Sequence, residues 1–119
     1  IPSVGLTVNT YNSMAQSVCD RKNSACYFSY AYSGRSRNVK IIGDHWNQGF
    51  DKIKRCSVGM IATLGDATYR CIEVFTGHNC ETWLSDDEYK DITTHDGDLF
   101  MYTCNDNWRN ITIVAWVRI

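Results

Sequence analysis

Three histidines and a set of carboxylates are the residues of this 119-residue chain whose types suit acid–base catalysis. His45, His78 and His95 share no HxH or HxxxH motif, so any catalytic pair must be assembled by the fold. A general acid and a general base must lie within hydrogen-bond reach of the reacting groups. In a regular strand Arg70 and Glu73 point to opposite faces, which disfavours a shared site. A ribonuclease-type site, with one histidine beside Glu73, stays open as an alternative.

Six cysteines are spread over the chain without the paired spacing of a zinc site: Cys19, Cys26, Cys56, Cys71, Cys80 and Cys104. An even number of scattered cysteines in a short chain is typical of a disulfide framework, whose pairing the sequence leaves open. We therefore predict that all six form disulfides in an oxidising, extracellular compartment. This prediction leaves no thiol to act as a nucleophile, and we expect no metal and no cofactor.

The segment CYFSYAYSGRSRN, residues 26–38, combines alternating aromatics with a basic end. Such aromatics could stack on bases or sugars, but aromatics are also favoured in ordinary strands, where they fill space beneath a helix. We interpret them as core residues. Polar loops carried by a braced strand are common recognition sites. The predicted binding residues are Arg35, Arg37, Lys52, Arg55, Asp86, Asp87 and Glu88.

Charge is unevenly distributed, although the formal net charge is −1. Residues 1–59 contain eight Lys/Arg and three Asp/Glu, whereas residues 60–119 contain four Lys/Arg and ten Asp/Glu. This pattern excludes a uniformly basic nucleic-acid binder. No apolar run approaches the roughly 20 residues of a membrane-spanning helix. We expect a secreted monomer that binds neither membrane nor nucleic acid, and Ile1-Pro2-Ser3 is interpreted as a mature terminus.

One helix is predicted over DHWNQGFDKIKRCSVG, residues 44–59. Asp44 is suited to accept hydrogen bonds from the first-turn amides, and Gly59 is suited to end the helix. Phe50 and Ile53 belong to an apolar stripe at helical spacing. This helix would present Lys52 and Arg55 to solvent.

Alternating apolar residues predict strands over 68–76, 98–104 and 111–119. Both faces of the last strand are apolar, so it should lie near the centre of the sheet. Ser85 and Glu88 have capping-box spacing, which predicts a short helical turn. The predicted fold class is α+β: a single domain, residues 1–119, with an antiparallel sheet of about four or five strands, one main helix packed across it, and disulfide staples.

Two stretches, YSGRSRNVKIIGDHWNQGF (32–50) and LGDATY (64–69), resemble the second half of cerato-platanins, which are small secreted fungal elicitors that bind chitin fragments. In size, cysteine number and order of elements, the whole chain resembles avirulence effectors of plant-pathogenic fungi of the LARS type. That resemblance implies a secreted protein without catalytic activity. Its surface loops would bind a host plant protein or a resistance receptor. The alternatives are a ribonuclease-like protein and a glycan-binding elicitor or toxin.

Overall fold

The computed structural model describes residues 1, 5, 9–12, 24–31, 38–44, 50–80, 83–105 and 109–119. Within these ranges the chain forms eight strands and two short 3₁₀ helices. The strands are β1 Asn9–Asn12, β2 Ser24–Ala31, β3 Asn38–Asp44, β4 Ile61–Leu64, β5 Ala67–Asn79, β6 Leu84–Asp86, β7 Leu99–Cys104 and β8 Asn110–Arg118. The 3₁₀ helices are Phe50–Arg55 and Ile92–Thr94.

One sheet contains all eight described strands, in the order β1-β2-β3-β7-β8-β5-β4, with β6 also paired to β5. The β1–β2 and β3–β7 pairs are parallel, and the other pairs are antiparallel. β5 is 13 residues long, so its first part pairs with β4 and its last three residues pair with β6. The sheet curls into a half-barrel.

β8 runs through the middle of the sheet and is covered on both sides. Its residues 111–116 are all buried. Alternate side chains enter two separate apolar clusters, because successive residues of a strand point to opposite faces. We call the side that contains Val114 and Trp116 face A, and the side that contains Ile111 and Ile113 face B. The prediction that this strand lies near the centre of the sheet is confirmed.

A β-bulge in β5 changes which side chains share a face. The register against β8 shifts between Cys71 and Glu73, so that Ile72 is an extra residue. Cys71 packs into the cluster of face A, whereas Phe75 packs on face B. The predicted strand over 68–76 is confirmed, but the regular alternation of its side chains is interrupted at the bulge. Bulges re-aim side chains in this way, and this one brings Glu73 to face B.

The predicted helix over 44–59 is wrong, and the α+β class with it. Asp44 ends β3 instead of capping a helix, and the described helical residues are those of the 3₁₀ helix Phe50–Arg55. Ile53 and Cys56 are buried on face A three residues apart, which is the period of a 3₁₀ helix. The fold is mostly β, and the residues that the structure describes contain no helix of seven or more residues. Among the described residues, no helix has the length and apolarity needed to cross a bilayer.

The predicted helical turn that starts at Ser85 is also wrong. Leu84–Asp86 forms strand β6, and Ser85 is completely buried. Gly77 of β5 makes this packing possible, because a Cβ at that position would overlap the carbonyl oxygen of Ser85. The close packing of the β5 and β6 backbones therefore outweighs the preference for a helical turn that the spacing of Ser85 and Glu88 indicates.

The predicted disulfides are wrong for the thiols that the structure describes. No disulfide joins any two of Cys56, Cys71, Cys80 and Cys104. Cys56 and Cys71 are packed as small apolar side chains on face A. Cys80 and Cys104 are each partly buried. Cys19 and the side chain of Cys26 lie outside the described residues.

Candidate functional site at the end of strand β7

Cys104 is the last residue of β7 and lies in a row of paired residues that crosses four strands. Its Cα partner is Ile111 of β8, which in turn pairs with Gly77 of β5. Gly77 pairs with Asp86 of β6. At about 4.8 Å per strand spacing, roughly 14 Å separates the two ends of this row. Cys104 is half-buried and packs at the border of the face B cluster, so its thiol belongs to that face.

The end of β3 lies beside the end of β7. The parallel β3–β7 ladder finishes with Asp44 next to Thr103, so both strands leave the sheet at the same edge. A Cβ at Gly43 would overlap the ring of Tyr102, so this glycine lets the ring lie over β3. His45 follows Asp44 in the sequence and lies outside the described residues.

Backbone hydrogen bonds fix the start of β8 beside Cys104. The Asn105 N–H donates to the Asn110 carbonyl at 2.8 Å, and this bond closes the connection between β7 and β8. The Asn79 N–H donates to the Arg109 carbonyl at 2.7 Å, which ties the same connection to β5. Arg109 is exposed. The fold therefore carries a guanidinium group one residue before β8, at the edge where Cys104 lies.

The Cys104 thiol needs a base to become a nucleophile. Burial raises its pKa above the usual value, and the positive charge of Lys54 offsets part of that increase. The thiolate is the reactive form of cysteine, so a thiol with a raised pKa must lose its proton to a neighbouring group. Burial raises the pKa of Cys56 to about 11, with a further rise from the charge of Cys71 and an opposing effect of the amino terminus. Burial also raises the pKa of Cys71.

A second polar cluster lies on the same face, around His95. The Nδ1 atom of His95 is 2.7 Å from Glu73 Oε1, and its Nε2 atom is 2.9 Å from Asp86 Oδ2. The imidazole ring is stacked on the ring of Phe75, with centroids 4.2 Å apart and planes 4° from parallel. β5 thus supplies the Glu73 carboxylate and the Phe75 ring. Its Gly77 also allows close packing of β6, the strand that carries Asp86.

The two carboxylates require His95 to be an imidazolium, because a neutral imidazole has a single N–H. Burial alone would lower the pKa of His95, but the hydrogen bonds to Asp86 and Glu73 outweigh burial and raise it. Burial alone would raise the pKa of Asp86, but the bonds from His95 and from the N–H groups of Lys90 and Glu88 outweigh burial and lower it. The ribonuclease alternative required a histidine beside Glu73, and this pair exists. Held as an imidazolium, however, His95 has no lone pair with which to accept a proton.

An open cleft of about 460 Å³ lies next to this cluster. Its lining residues are Glu73, Asp86, Glu88, Lys90, Thr94, His95 and Asp96. Four of these are carboxylates, and the cations among them are Lys90 and the His95 imidazolium. The cleft is therefore acidic, and it lies at the opposite end of the four-strand row from the thiol.

Of the predicted basic binding residues, the two that the structure describes, Lys52 and Arg55, are not brought to this cleft. Arg35 and Arg37 lie outside the described residues. Lys52 donates its Nζ hydrogen to the Gly5 carbonyl at 3.1 Å, and Arg55 is exposed on the same 3₁₀ helix. That helix packs on face A, whereas the His95 cluster lies on face B.

The predicted acidic binding residues make contacts within the chain. Asp86 belongs to the His95 cluster, and Asp87 accepts a hydrogen bond from the Thr76 hydroxyl at 2.6 Å. Glu88 forms an exposed ion pair with Lys90 at 3.1 Å. His78, the other described candidate for catalysis, is stacked on Tyr89 with ring centroids 4.2 Å apart. A role of the acidic or basic residues in binding a partner stays a prediction.

Cys104 is not among the predicted binding residues, because all six cysteines are predicted to form disulfides. A partial signal was present: Cys104 ends an apolar strand and precedes a polar loop that contains Arg109. The parallel pairing of β3 with β7 had no local signal. It joins Asp44 to Thr103, and such long-range pairing depends on the whole fold.

Comparison with known proteins gives matches among solved structures. No protein-family model matches the sequence, and no curated protein matches it. Sortase C from Clostridium perfringens SM101 matches all of this chain with a TM-score of 0.69 and 18% identity, and 66% of that protein is covered. A Clostridium perfringens sortase D5 transpeptidase matches with a TM-score of 0.69, 20% identity and 75% coverage. Sortase C-1 from Actinomyces oris matches with a TM-score of 0.70, 15% identity and 70% coverage.

These matches overturn the resemblances inferred from the sequence. The chain spans about two thirds of the length of the first sortase, and its curled sheet replaces the helix-covered, disulfide-stapled sheet expected of a fungal effector or a cerato-platanin. Size, cysteine number and order of elements are shared by unrelated small proteins and do not specify a fold. The predictions of a fungal avirulence effector, of a protein without catalytic activity and of a host resistance receptor as partner are therefore wrong. The described part of the chain has a sortase-like β-barrel fold.

Proposed function

We propose that this chain is the catalytic part of a cysteine transpeptidase and that Cys104 is its nucleophile. The observation that carries the proposal is the position of Cys104 at the end of β7, on face B, where β3 ends as well. The likeness in fold to a Clostridium perfringens protein described as a sortase transpeptidase supports it.

The other described thiols are less suited to this role. Cys56 and Cys71 are 6% and 0% exposed within the face A core, so a peptide carbonyl cannot reach them without unfolding. Cys80 is half-buried after the end of β5, and its Sγ is 3.8 Å from the Ser85 hydroxyl. Cys104 alone among these thiols ends a central strand at the edge where β3 also ends.

The base is assigned to His45 from its place in the chain. His45 lies outside the described residues, but it directly follows Asp44, which pairs with Thr103, the residue before Cys104. Histidine is the side chain that most often transfers protons near neutral pH. His95 is excluded from this role by its two carboxylate partners.

The reaction has two steps that return the enzyme to its starting state. The Cys104 sulfur, deprotonated by His45, attacks a peptide carbonyl carbon; an S–C bond forms, the C–N bond breaks, and the leaving amine takes the proton from His45. An acceptor amine then attacks the thioester; a new C–N bond forms, the S–C bond breaks, and the amine proton passes through His45 to the Cys104 sulfur, which becomes a thiol again. We assign the stabilisation of the negative carbonyl oxygen in both steps to Arg109, which lies one residue before β8.

The substrate proposed is a C-terminal sorting peptide of a bacterial surface protein. A solved Clostridium perfringens sortase C of this fold contains the C-terminal cell wall sorting motif, which supports this class of substrate for the present chain. Such a substrate also requires the enzyme to act outside the cytoplasm. We therefore retain an extracellular location as part of the proposal, to be checked by cell fractionation.

The test is detection of the acyl-enzyme. The full chain is incubated with synthetic peptides that carry C-terminal sorting motifs, and intact-protein mass spectrometry measures the acyl adduct. Hydroxylamine should release the acyl group as a hydroxamate, because it cleaves thioesters. The adduct should be absent in Cys104→Ala and retained in Cys80→Ala. It should form roughly 10² to 10⁴ times more slowly in His45→Ala, as expected for loss of a general base. An adduct that survives Cys104→Ala, or no adduct with any peptide, would refute the proposal.

A further inference from the structure

The segment of residues 84–96, which leads from β6 toward β7, covers part of face B. Leu84 and Ile92 are buried in the same apolar cluster that Cys104 borders. The backbone of this segment pairs with β5 at only three residues. Its further contacts with β5 come from side chains and include the His95 cluster. These contacts add to the buried apolar residues in holding the 84–96 segment on face B.

His95 connects the end of the 84–96 segment to two strands at once. Its ring bonds Glu73 in the middle of β5 and Asp86 at the end of β6. The other oxygen of the Asp86 carboxylate accepts the backbone N–H groups of Glu88 at 2.8 Å and Lys90 at 3.0 Å. The Asp86 carboxylate therefore fixes the turn after β6 and also accepts a hydrogen bond from His95 near the end of the segment. Charge-assisted hydrogen bonds of this kind are stronger than neutral ones.

We propose that His95 is a positioning residue, whose imidazolium latches the 84–96 segment against β5 as the wall of the groove that holds the peptide substrate beside Cys104. The role in substrate binding rests on the proposed function, whereas the latch stands on the contacts alone. Asp86 and Cys104 are the ends of one row, roughly 14 Å apart. An extended peptide that lies along this row would span it with about four residues.

The latch should open as the pH rises. The charged groups around His95 are Glu73 from β5, Asp86 from β6, and Glu88, Lys90 and Asp96 of its own segment. A histidine whose pKa is raised on folding contributes stability that is fully present below its unfolded pKa and is lost as the pH rises through the folded pKa. The latch is thus fully closed below the ordinary histidine pKa of 6.5 and opens as the pH rises through the raised pKa of His95.

Hydrogen exchange measured by mass spectrometry tests the latch without any need for activity. Peptides from residues 84–96 of the full chain are followed between pH 6 and pH 9, after correction for intrinsic exchange. Protection in the wild type should fall on the order of tenfold as the imidazolium is lost, the effect of one charged hydrogen bond. His95→Gln and Glu73→Gln should exchange on the order of tenfold faster at pH 6 and lose the pH dependence. Glu88→Gln is the matched control, because it removes a carboxylate side chain from the same cleft, and it should behave as the wild type.

Steady-state transpeptidation then tests the role in binding. KM for the sorting peptide should rise on the order of tenfold in His95→Gln and Glu73→Gln, with kcat within about twofold, because the latch does not touch the reacting atoms. Equal protection in the wild type and both variants overturns the latch, whatever the activity. Faster exchange with an unchanged KM overturns the role in binding. Absence of acylation at Cys104 refutes the proposed function, while the exchange data still decide the latch. If His95→Gln does not fold, Glu73→Gln decides both points.

Discussion

Gly77→Ala should detach β6 from β5, because the new methyl group meets backbone atoms. A Cβ at this position would overlap the Ser85 carbonyl oxygen and lie 3.0 Å from the Asp86 Cα. These atoms belong to a paired strand and cannot rotate away as a side chain would. Overpacking costs about 1–3 kcal/mol, and each backbone hydrogen bond that is lost adds about 1 kcal/mol. Because β6 has three pairs with β5, and about one hydrogen bond is lost for each pair, we expect the free energy of unfolding to fall by roughly 4–6 kcal/mol.

Urea denaturation followed by tryptophan fluorescence measures this change as a lower midpoint at constant slope. Gly65→Ala is the matched control: its φ is +58° and no heavy atom lies within 4 Å of the added Cβ. That variant should lose roughly 1 kcal/mol from the left-handed backbone alone. A midpoint for Gly77→Ala at or above that of Gly65→Ala would refute the steric reasoning.

Three further predictions concern the same region and the thiols. Gly43→Ala should displace the Tyr102 ring and not the backbone. In a double-mutant cycle with Tyr102→Ala, the losses in free energy of unfolding measured in urea should therefore be strongly non-additive, and additive losses would contradict the contact. Iodoacetamide at neutral pH should leave Cys56 and Cys71 unmodified in the folded chain, because both are buried and burial raises the pKa of each; peptide mapping after labelling checks this. Asp86 has a lowered pKa, so its stabilisation is present above the usual value of 3.8 and is lost as the pH falls through the folded pKa. The urea midpoint should therefore fall on acidification in the wild type and fall less in Asp86→Asn.

The long strands could be predicted from the sequence because their signal is local. Alternation over 68–76, 98–104 and 111–119 corresponds to β5, β7 and β8. The helix could not be predicted correctly, since apolar residues three apart suit either an α-helix or a 3₁₀ helix. Packing of Ile53 and Cys56 against face A, a tertiary effect, accompanies the tighter form.

The candidate site depended on features that no local pattern specifies. Strict alternation assigned Glu73 to the face of Cys71, and only the bulge explains why the structure joins it to His95 instead. The even number of cysteines favoured disulfides and concealed Cys104 as the nucleophile that we propose. Asp44 and Thr103 meet in a parallel ladder whose partners are distant in sequence, so the position of the thiol beside the end of β3 emerges only from the folded chain.

The extra residue Ile72 has a consequence for any future alignment of this chain. The ladder with β8 would close without it, because Cys71 and Glu73 already pair with consecutive residues, Trp116 and Ala115. A homologue that lacks the insertion could keep every later side chain on its present face with one residue fewer. An alignment without a gap at this position would then match Glu73 with a residue whose side chain points to the opposite face. The acidic partner of His95 would be scored as lost, although the homologue still had it.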